Sequence, residues 1–430
     1  MRYEPIPRDL YIQNRKNLSE RLLPGSLALL NSNDLMPSNA DGTMKFRQNN
    51  DLFYCTGIDQ EETIVLLCPD FPDESMREVL FIRETNEQIA IWEGKKITKK
   101  EALTLSGVSN VRWTTEFDQV LSLLLPYLQN IYLNTNEHRG AANLVETRDG
   151  RMVRSLKEKF PLHSYHRLAP IMGELRSIKA AEEITQLKRA CEITEAGFRR
   201  VLGFVKPGVR EYEIEAEFLY EFVRKGSRGF GYEPIVGSGA NSCVLHYVEN
   251  DQICNSGELI LMDIGAEYGN YNADMTRTIP VSGQYSPRQK EVYQAVLRVM
   301  RLAEQLLRPG VMLKDYQKEV GKAMESELIG LGLLDRHDVR KQDPVSPLYR
   351  EYFMHGTSHP LGLDVHDIGS VYVPVKENMV FTIEPGIYIP AESIGIRLEN
   401  NYVIGAKENL DLMRSIPIEV EEIEGLMNEK

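Results

Sequence analysis

Three of the chain's eight histidines, His355, His359 and His366, fall within twelve residues of one another. The stretch that carries them, from Phe353 to Asp367, is rich in glycine and apolar residues and lacks the charged texture of a solvated face. A single histidine there would most often be a packed one. Three so close suit a site, because imidazole binds metals and moves protons near neutral pH. Four acids stand in equally unfavourable company. Asp263 sits inside Leu259–Gly265, Asp274 precedes Met275-Thr276, Glu384 ends the run Val380–Ile383, and Glu399 follows Ile394–Leu398. Carboxylates flanked by such runs are rarely buried unless paired or bound to metal. Any one of them alone reads as a salt bridge or a turn cap; four beside a histidine cluster point to metal.

Charge bookkeeping favours a pair of ions. Four carboxylates balance two divalent cations, and one neutral imidazole completes the set. Oxygen-rich ligation with one imidazole suits Mn²⁺ best, with Fe²⁺, Co²⁺ or Zn²⁺ as alternatives, and not a sulfur- and nitrogen-rich structural zinc site. Two ions about 3.5–4 Å apart generate hydroxide near neutral pH and hold a carbonyl oxygen.

These residues need elements to hold them. At 430 residues, two domains are the natural expectation. The stretch up to about 165 reads as mixed α/β, with strands at Leu27–Leu30, Thr63–Cys68 and Val79–Ile82 and a helix over Phe117–Leu125 that Pro126 ends. The polar run Phe46–Asp51 precedes what reads as an aromatic strand. Beyond about 170 the period becomes helical from Ala180 to Phe204, stopping at Pro207-Gly208, and again from Gln289 to Leu307, stopping at Pro309-Gly310. Each copy leads into a second helix, from Glu211 and from Lys314, so the pattern suggests internal duplication. Leu259–Ile264 pairs naturally with Tyr271–Val281, and Val380–Ile383 with Ile396–Val403. The acidic run Glu419–Glu424 reads as a solvated tail. The expected organisation is an α/β (α+β) protein with domains at 1–170 and 171–430.

Composition narrows the partners. A formal charge of −13, from 50 basic and 63 acidic residues, argues against nucleic acid or an anionic membrane as partner. The N-terminus shows no apolar signal segment, and no run approaches the roughly 18 residues of a membrane span. Five scattered cysteines without a Cys-x-x-Cys pair suit a reducing, cytoplasmic setting.

With these residues assembled, the chain resembles the pita-bread metallopeptidases, in the branch that holds Xaa-Pro aminopeptidase (aminopeptidase P) and prolidase. The motifs that carry the resemblance are Met262-Asp263-Ile264-Gly265, Ala273-Asp274-Met275-Thr276-Arg277-Thr278, His355-Gly356-Thr357-Ser358-His359, Thr382-Ile383-Glu384-Pro385-Gly386 and Gly395-Ile396-Arg397-Leu398-Glu399, with eleven residues from Asp263 to Asp274. The run Phe46 to Gly57 is similar to the N-terminal signature of that family. The resemblance implies a creatinase/aminopeptidase P-like domain before a duplicated pita-bread catalytic domain. It implies two divalent ions held by Asp263, Asp274, His359, Glu384 and Glu399, with Asp274 and Glu399 bridging. A bridging hydroxide would attack the scissile carbonyl, and Glu384 would accept and pass on its proton. His246, His355 and His366 would meet substrate or the tetrahedral intermediate. Arg397 would orient carboxylates or substrate, its simpler role being charge compensation for Glu399 on the same strand face. Tyr232 would line the pocket, and Trp92 would reach a neighbouring subunit of a homodimer or homotetramer.

The implied substrates are peptides with proline in second position. The Thr357-Ser358 pair and the N-terminal signature favour the aminopeptidase over a prolidase limited to Xaa-Pro dipeptides. A binding protein of the same fold would usually lose ligands, and all five are present. The sequence departs from the family in two places: Asn400 follows Glu399 where an aspartate is commoner, and no arginine occurs between Asp367 and Ile396.

Overall fold

The computed structural model describes residues 2–141 and 144–429. The chain divides into two compact units, Pro5–Arg176 and Met1–Glu4 with Ser177–Lys430.

The first unit is built on a six-stranded sheet: β1 Ser26–Asn31, β2 Ile64–Leu67, β3 Glu78–Ile82, β4 Asn110–Trp113, β5 Asn130–Leu133 and β6 Ser164–Arg167, in the order β4-β3-β2-β1-β5-β6. β1 runs parallel to β5 and antiparallel to β2, and every residue of β1 and β2 is buried. That is why these runs are continuously apolar and do not alternate. The helices of this unit are α1 Arg8–Ser19, α2 Asn50–Thr56, α3 Glu87–Glu93, α4 Lys99–Ser106, α5 Phe117–Leu124, α6 Arg148–Lys159 and α7 Ala169–Ser177. One face of the sheet packs Leu27, Leu29, Ile64, Leu66 and Phe81 against Phe117, Val120, Leu121 and Leu124 of α5.

The aromatic run after Asp51 forms α2, not the strand expected from its composition. The Asn49 side chain accepts from the Asp51 and Leu52 amides, and Gly57 closes the helix at φ +66°. Cap and stop outweigh the β-propensity of so short a run.

In the same unit Asp149, in the first turn of α6, is almost fully buried. Its Oδ1 accepts from Asn31 Nδ2 at 2.7 Å, while Asn31 Oδ1, also buried, has no partner among the described residues. Burial, with Asp51 nearby, lifts the Asp149 carboxyl to about 7 against the softer opposing pull of Asn31 and Arg148. The folded state therefore keeps a proton that the unfolded state loses near pH 4. This contribution to stability is full below the unfolded value and is lost as pH rises to about 7. Three pH units set its ceiling at about 4 kcal/mol. Asp149→Asn can still accept from Asn31 and can donate to its orphaned oxygen. We expect it to unfold at higher urea than the parent at pH 8 and at similar urea at pH 5. A parent whose midpoint does not fall between those pH values would refute the assignment.

The second unit carries the two helix pairs. α8 Ala181–Phe204 and α9 Glu211–Arg224 flank Gly208 (φ +96°), and α10 Pro287–Leu306 and α11 Leu313–Gly330 flank Gly310 (φ +90°). The short α12 Arg336–Lys341 follows. Strands β7 Ile235–Ser238, β8 Leu259–Asp263, β9 Glu267–Tyr268, β10 Tyr271–Asn272 and β11 Thr276–Pro280 come between the helix pairs. After α12 come β12 Val380–Ile383, β13 Gly386–Ile389, β14 Ile394–Arg397, β15 Asn400–Val403 and β16 Leu410–Asp411. β8 is the middle of the sheet β11-β8-β7, β15 the middle of β12-β15-β16, and β13 and β14 form a hairpin. One apolar core joins these sheets to helices α8 to α11. The acidic C-terminal run is not a free tail. It forms α13 Val420–Asn428, which buries Val420 and Ile423 while Glu424 accepts from Lys290 and the Tyr285 amide. Among the described residues no helix is long and apolar enough to cross a membrane.

Candidate metal centre

The expected strands Tyr271–Val281 and Ile396–Val403 are each interrupted, and the interruptions carry the acids. Asp274 falls between β10 and β11, and Glu399 between β14 and β15. Gly265 makes the first break possible, because a Cβ there would lie 1.7 Å from the Ala273 carbonyl oxygen. The Asp274 backbone is then clamped by one amide side chain: its N–H donates to Asn401 Oδ1 at 3.0 Å, and its carbonyl accepts from Asn401 Nδ2 at 2.6 Å. The second break is pinned by fully buried Arg277, whose Nη1 reaches the Glu399 carbonyl at 2.7 Å and whose Nη2 reaches Asn400 Oδ1 at 2.7 Å. Asn400, the departure noted in the sequence, thus serves as an acceptor for Arg277.

Asp263 ends β8, and β12 sets the other two ligand candidates. The Thr382 amide donates to the His359 carbonyl, the His359 amide to Thr382 Oγ1, and the Glu384 amide to the Thr357 carbonyl. One edge ladder therefore places His359 and Glu384 together.

Among the described residues, ligand atoms of Asp274, His359 and Glu399 lie within 4.8 Å of one another. His359 Nε2 lies 3.3 Å from Asp274 Oδ2 and 3.4 Å from Glu384 Oε1. Its Nδ1 faces the Pro360 carbonyl at 2.9 Å, which turns Nε2 to the acids. Asp263 joins through Tyr232, whose hydroxyl lies 2.5 Å from Asp263 Oδ1 and 2.6 Å from Asp274 Oδ1. Tyr232 is therefore in the cluster, against the carboxylates. His366 joins it too, its ring 4.3 Å from that of His359.

Arg397 corrects an expectation. It ends β14 while Glu399 lies beyond the strand, so the two do not share a face. Its Nη2 pairs with Asp263 Oδ2 at 2.5 Å, Nη1 donates to the Tyr388 hydroxyl at 2.8 Å, and Nε to Thr276 Oγ1 at 3.1 Å. Glu399 Oε2 instead accepts from Thr276 Oγ1 at 2.7 Å. Tyr388 in turn meets His355 Nε2 at 2.8 Å, and His355 Nδ1 meets the Gly356 carbonyl at 2.9 Å. The proton order is set: Arg397 donates to Tyr388, Tyr388 to His355, and His355 to a backbone carbonyl.

His246 is exposed, but its neighbour Tyr247 is anchored. The Glu211 carboxylate, 0% exposed, accepts from the Tyr247 hydroxyl, the Gln252 amide, and both the amide and hydroxyl of Ser238. Trp92 belongs to the other unit, where it is 83% exposed near the end of α3. Sequence reasoning missed Tyr388, Thr276, Asn401 and Glu211. Tyr388 alone had a local signal, since it alternates with Gly386 on β13 directly after Glu384.

The electrostatics test the fit of a cation. Burial raises the carboxyls of Asp274, Glu384 and Glu399, and mutual repulsion adds to it; Glu384 reaches about 7 despite His359 and Arg397. Burial alone would lower His359, but Asp274 and Glu384 lift it to about 9. His355 drops to about 3 through burial and the Arg397 cation, so it is neutral at pH 7. Glu399, 1% exposed, keeps Oε1 without a hydrogen-bond partner among the described residues. The one proton of Tyr232 cannot serve both carboxylates that crowd its oxygen. Buried acids of this kind need positive charge, and the donor set of oxygens with one imidazole fits hard or borderline divalent ions.

Comparison with known proteins agrees with this geometry. Residues 185–406 match Metallopeptidase family M24, and residues 11–132 match the Aminopeptidase P, N-terminal domain. The chain is 35% identical to the Xaa-Pro aminopeptidase of Escherichia coli (strain K12), covering 98% of both chains. A low-pH form of aminopeptidase P from E. coli superposes with a TM-score of 0.89 at 34% identity, covering 99% of both. A zinc-substituted form of the E. coli enzyme in complex with product gives 0.88 at 34% identity, with the same coverage. Its clustered acids and histidines, its fold and these matches together place the chain in metallopeptidase family M24, with an aminopeptidase P N-terminal domain ahead of the peptidase domain.

Proposed function

We propose that the chain is an Xaa-Pro aminopeptidase, which hydrolyses the bond between an N-terminal residue and a following proline. The observation that carries this reading is the buried cluster of Asp274, His359 and Glu399, with Asp263 and Glu384 at its edge, in a chain of this family. These five residues would hold two divalent ions, and the oxygen-rich donor set favours Mn²⁺. When bound, such ions supply Lewis acidity and lower the pKa of water.

The chain's own residues do the rest. Glu384 Oε accepts the proton of the attacking water and passes it to the departing nitrogen, a role that suits a carboxylate held 3.4 Å from His359 Nε2 at the edge of the cluster. His355 is held neutral, its ring oriented by Tyr388 and Gly356 beside Glu384. His355 and His366 serve the scissile amide and the tetrahedral intermediate as charge develops, and His246 meets the substrate near its proline side. An Xaa-Pro bond has no N–H, so a site that demands none accepts it where general peptidases do not.

Arg397 bears on the choice of substrate length. A prolidase needs a free cation to hold the dipeptide carboxylate, and Arg397 is 3% exposed with its guanidinium committed to Asp263, Tyr388 and Thr276. This supports action on tripeptides and longer peptides. A cytosolic location, and a homodimer or homotetramer formed through exposed Trp92, belong to the same proposal. The test pairs an Xaa-Pro dipeptide with an Xaa-Pro-Xaa tripeptide, using Mn²⁺-loaded protein and mass-spectrometric identification of products. Release of the first residue from the tripeptide is the expected result. Cleavage of the dipeptide alone would make the chain a prolidase, and cleavage of neither with metal bound would refute the substrate class.

A further inference from the structure

Beneath the loop that carries His359 and His366 lies an ion pair with no part in the chemistry described above. Lys179 Nζ and Asp367 Oδ2 are 2.8 Å apart, and each side chain is 1% exposed. Asp367 follows His366 directly. Its backbone N–H donates to the Pro360 carbonyl at 2.9 Å, which closes residues 360–367 into a loop with the ligand candidate His359 just before it and His366 near its far end. The pair sits tight against the loop backbone: a Cβ on Gly362 would lie 2.2 Å from Asp367 Oδ2 and 3.0 Å from Lys179 Nζ. Asn272, two residues before Asp274, holds the same loop from the other side, donating to the Gly362 carbonyl at 3.0 Å and the Leu363 carbonyl at 2.8 Å. Lys179 is itself fixed, since its amide donates to the Asn378 carbonyl just before β12, and α8 begins two residues on.

We infer that Lys179 is a positioning residue: by holding Asp367 from beneath, it fixes the closed 360–367 loop and sets His366 against His359. The inference rests on the reading of His366 as a residue that meets the reacting amide. Stability does not explain the pair. Two charges withdrawn so far from water recover little net free energy, and well-packed apolar residues would serve folding as well. What the pair supplies is a single register, because a rigid, short-range contact between the start of α8 and the residue after His366 leaves the loop one arrangement.

The same argument excludes a direct role in binding metal. Lys179 carries a buried cation paired with Asp367, so it offers no ligand atom to a metal and its loss acts through the loop.

The experiment is a double-mutant cycle on metal-loaded protein with the tripeptide substrate. Lys179→Met, His366→Ala and the combination are compared for kcat, KM and bound metal. Lys179→Met should lower kcat on the order of 10- to 100-fold, the scale of a misoriented catalytic group, with KM within about two-fold and metal content unchanged. In the His366→Ala background the same change should cost less than about two-fold, because the residue being positioned is gone. Multiplying losses would overturn the positioning role. A His366→Ala enzyme with full turnover would overturn the reading of His366 beneath it. If Lys179→Met does not fold, Lys179→Met with Asp367→Leu removes both charges together and runs the same cycle with the same expected losses.

Discussion

Asp274→Ala should abolish metal retention and lower kcat/KM roughly 10³-fold or more without unfolding the protein. The scale is that of losing both an activated nucleophile and an electrostatic stabiliser. Asp274 stands at the centre of the cluster: Oδ2 faces His359 Nε2, Oδ1 faces the Tyr232 hydroxyl, Asp263 repels it, and a ligand atom of Glu399 lies within 4.8 Å. The substitution should spare the fold, because the backbone at 274 is held by Asn401 and by the close approach of Gly265 to Ala273, neither of which needs the aspartate side chain. Its loss even relieves the metal-free protein, where burial and repulsion from Asp263 make this carboxylate costly to ionise. Metal that binds only the folded state raises the melting temperature of the parent as its concentration exceeds the dissociation constant. The variant's melting temperature should therefore be indifferent to Mn²⁺. Full metal content measured by elemental analysis, or turnover within ten-fold of the parent, would remove Asp274 from the ligand set.

What could be read from the sequence has a physical pattern. Asp263, Asp274, Glu384, Glu399 and His359 stood out because each breaks a local rule: a charge or imidazole inside an apolar run must be explained by something outside the run. Helices α8 and α10 were legible for the opposite reason, since period and a Pro-Gly stop agree over some twenty residues. The failures lie where the deciding contact is distant or the element short. Arg397 meets Asp263 across 134 positions and Asn401 meets Asp274 across 127, and no local pattern announces either. Arg397 does offset the charge of Glu399, but the face they share was misjudged because the strand was taken to continue through Glu399, when the break itself creates the site. Residues 50–56 were misread because propensity is weak evidence over seven residues, while the caps at Asn49 and Gly57 were already visible. The C-terminal acids concealed a helix because its apolar residues are few and scattered among the acids: Val420 and Ile423 are buried in the core, with Leu426 and Met427 half-buried against it.

Arg397→Met should destabilise the metal-free protein by about 3–5 kcal/mol, the usual penalty for removing one partner of a buried pair. Burial alone would weaken this guanidinium's charge, but Tyr388, Asp263, Glu384 and Glu399 hold it firmly ionised. Its loss leaves Asp263 without its cation, Tyr388 without its donor and Thr276 Oγ1 without the Nε contact. Methionine fills most of the volume, so cavity formation contributes little and the charge dominates. The penalty should depend on metal. With divalent ions bound, Asp263 would regain a cationic partner, and the difference between parent and variant in urea should shrink to well under half its metal-free value. Activity should still fall on the order of 10- to 100-fold in the loaded enzyme, because Arg397 fixes the Tyr388 hydroxyl that orients His355. That loss should appear in kcat, since none of these groups is free to grip substrate in the ground state. Unfolding in urea with and without chelator, beside steady-state kinetics, separates the two effects. A destabilisation equal in both states would mean that Arg397 supports packing and does not balance the charge of the metal site.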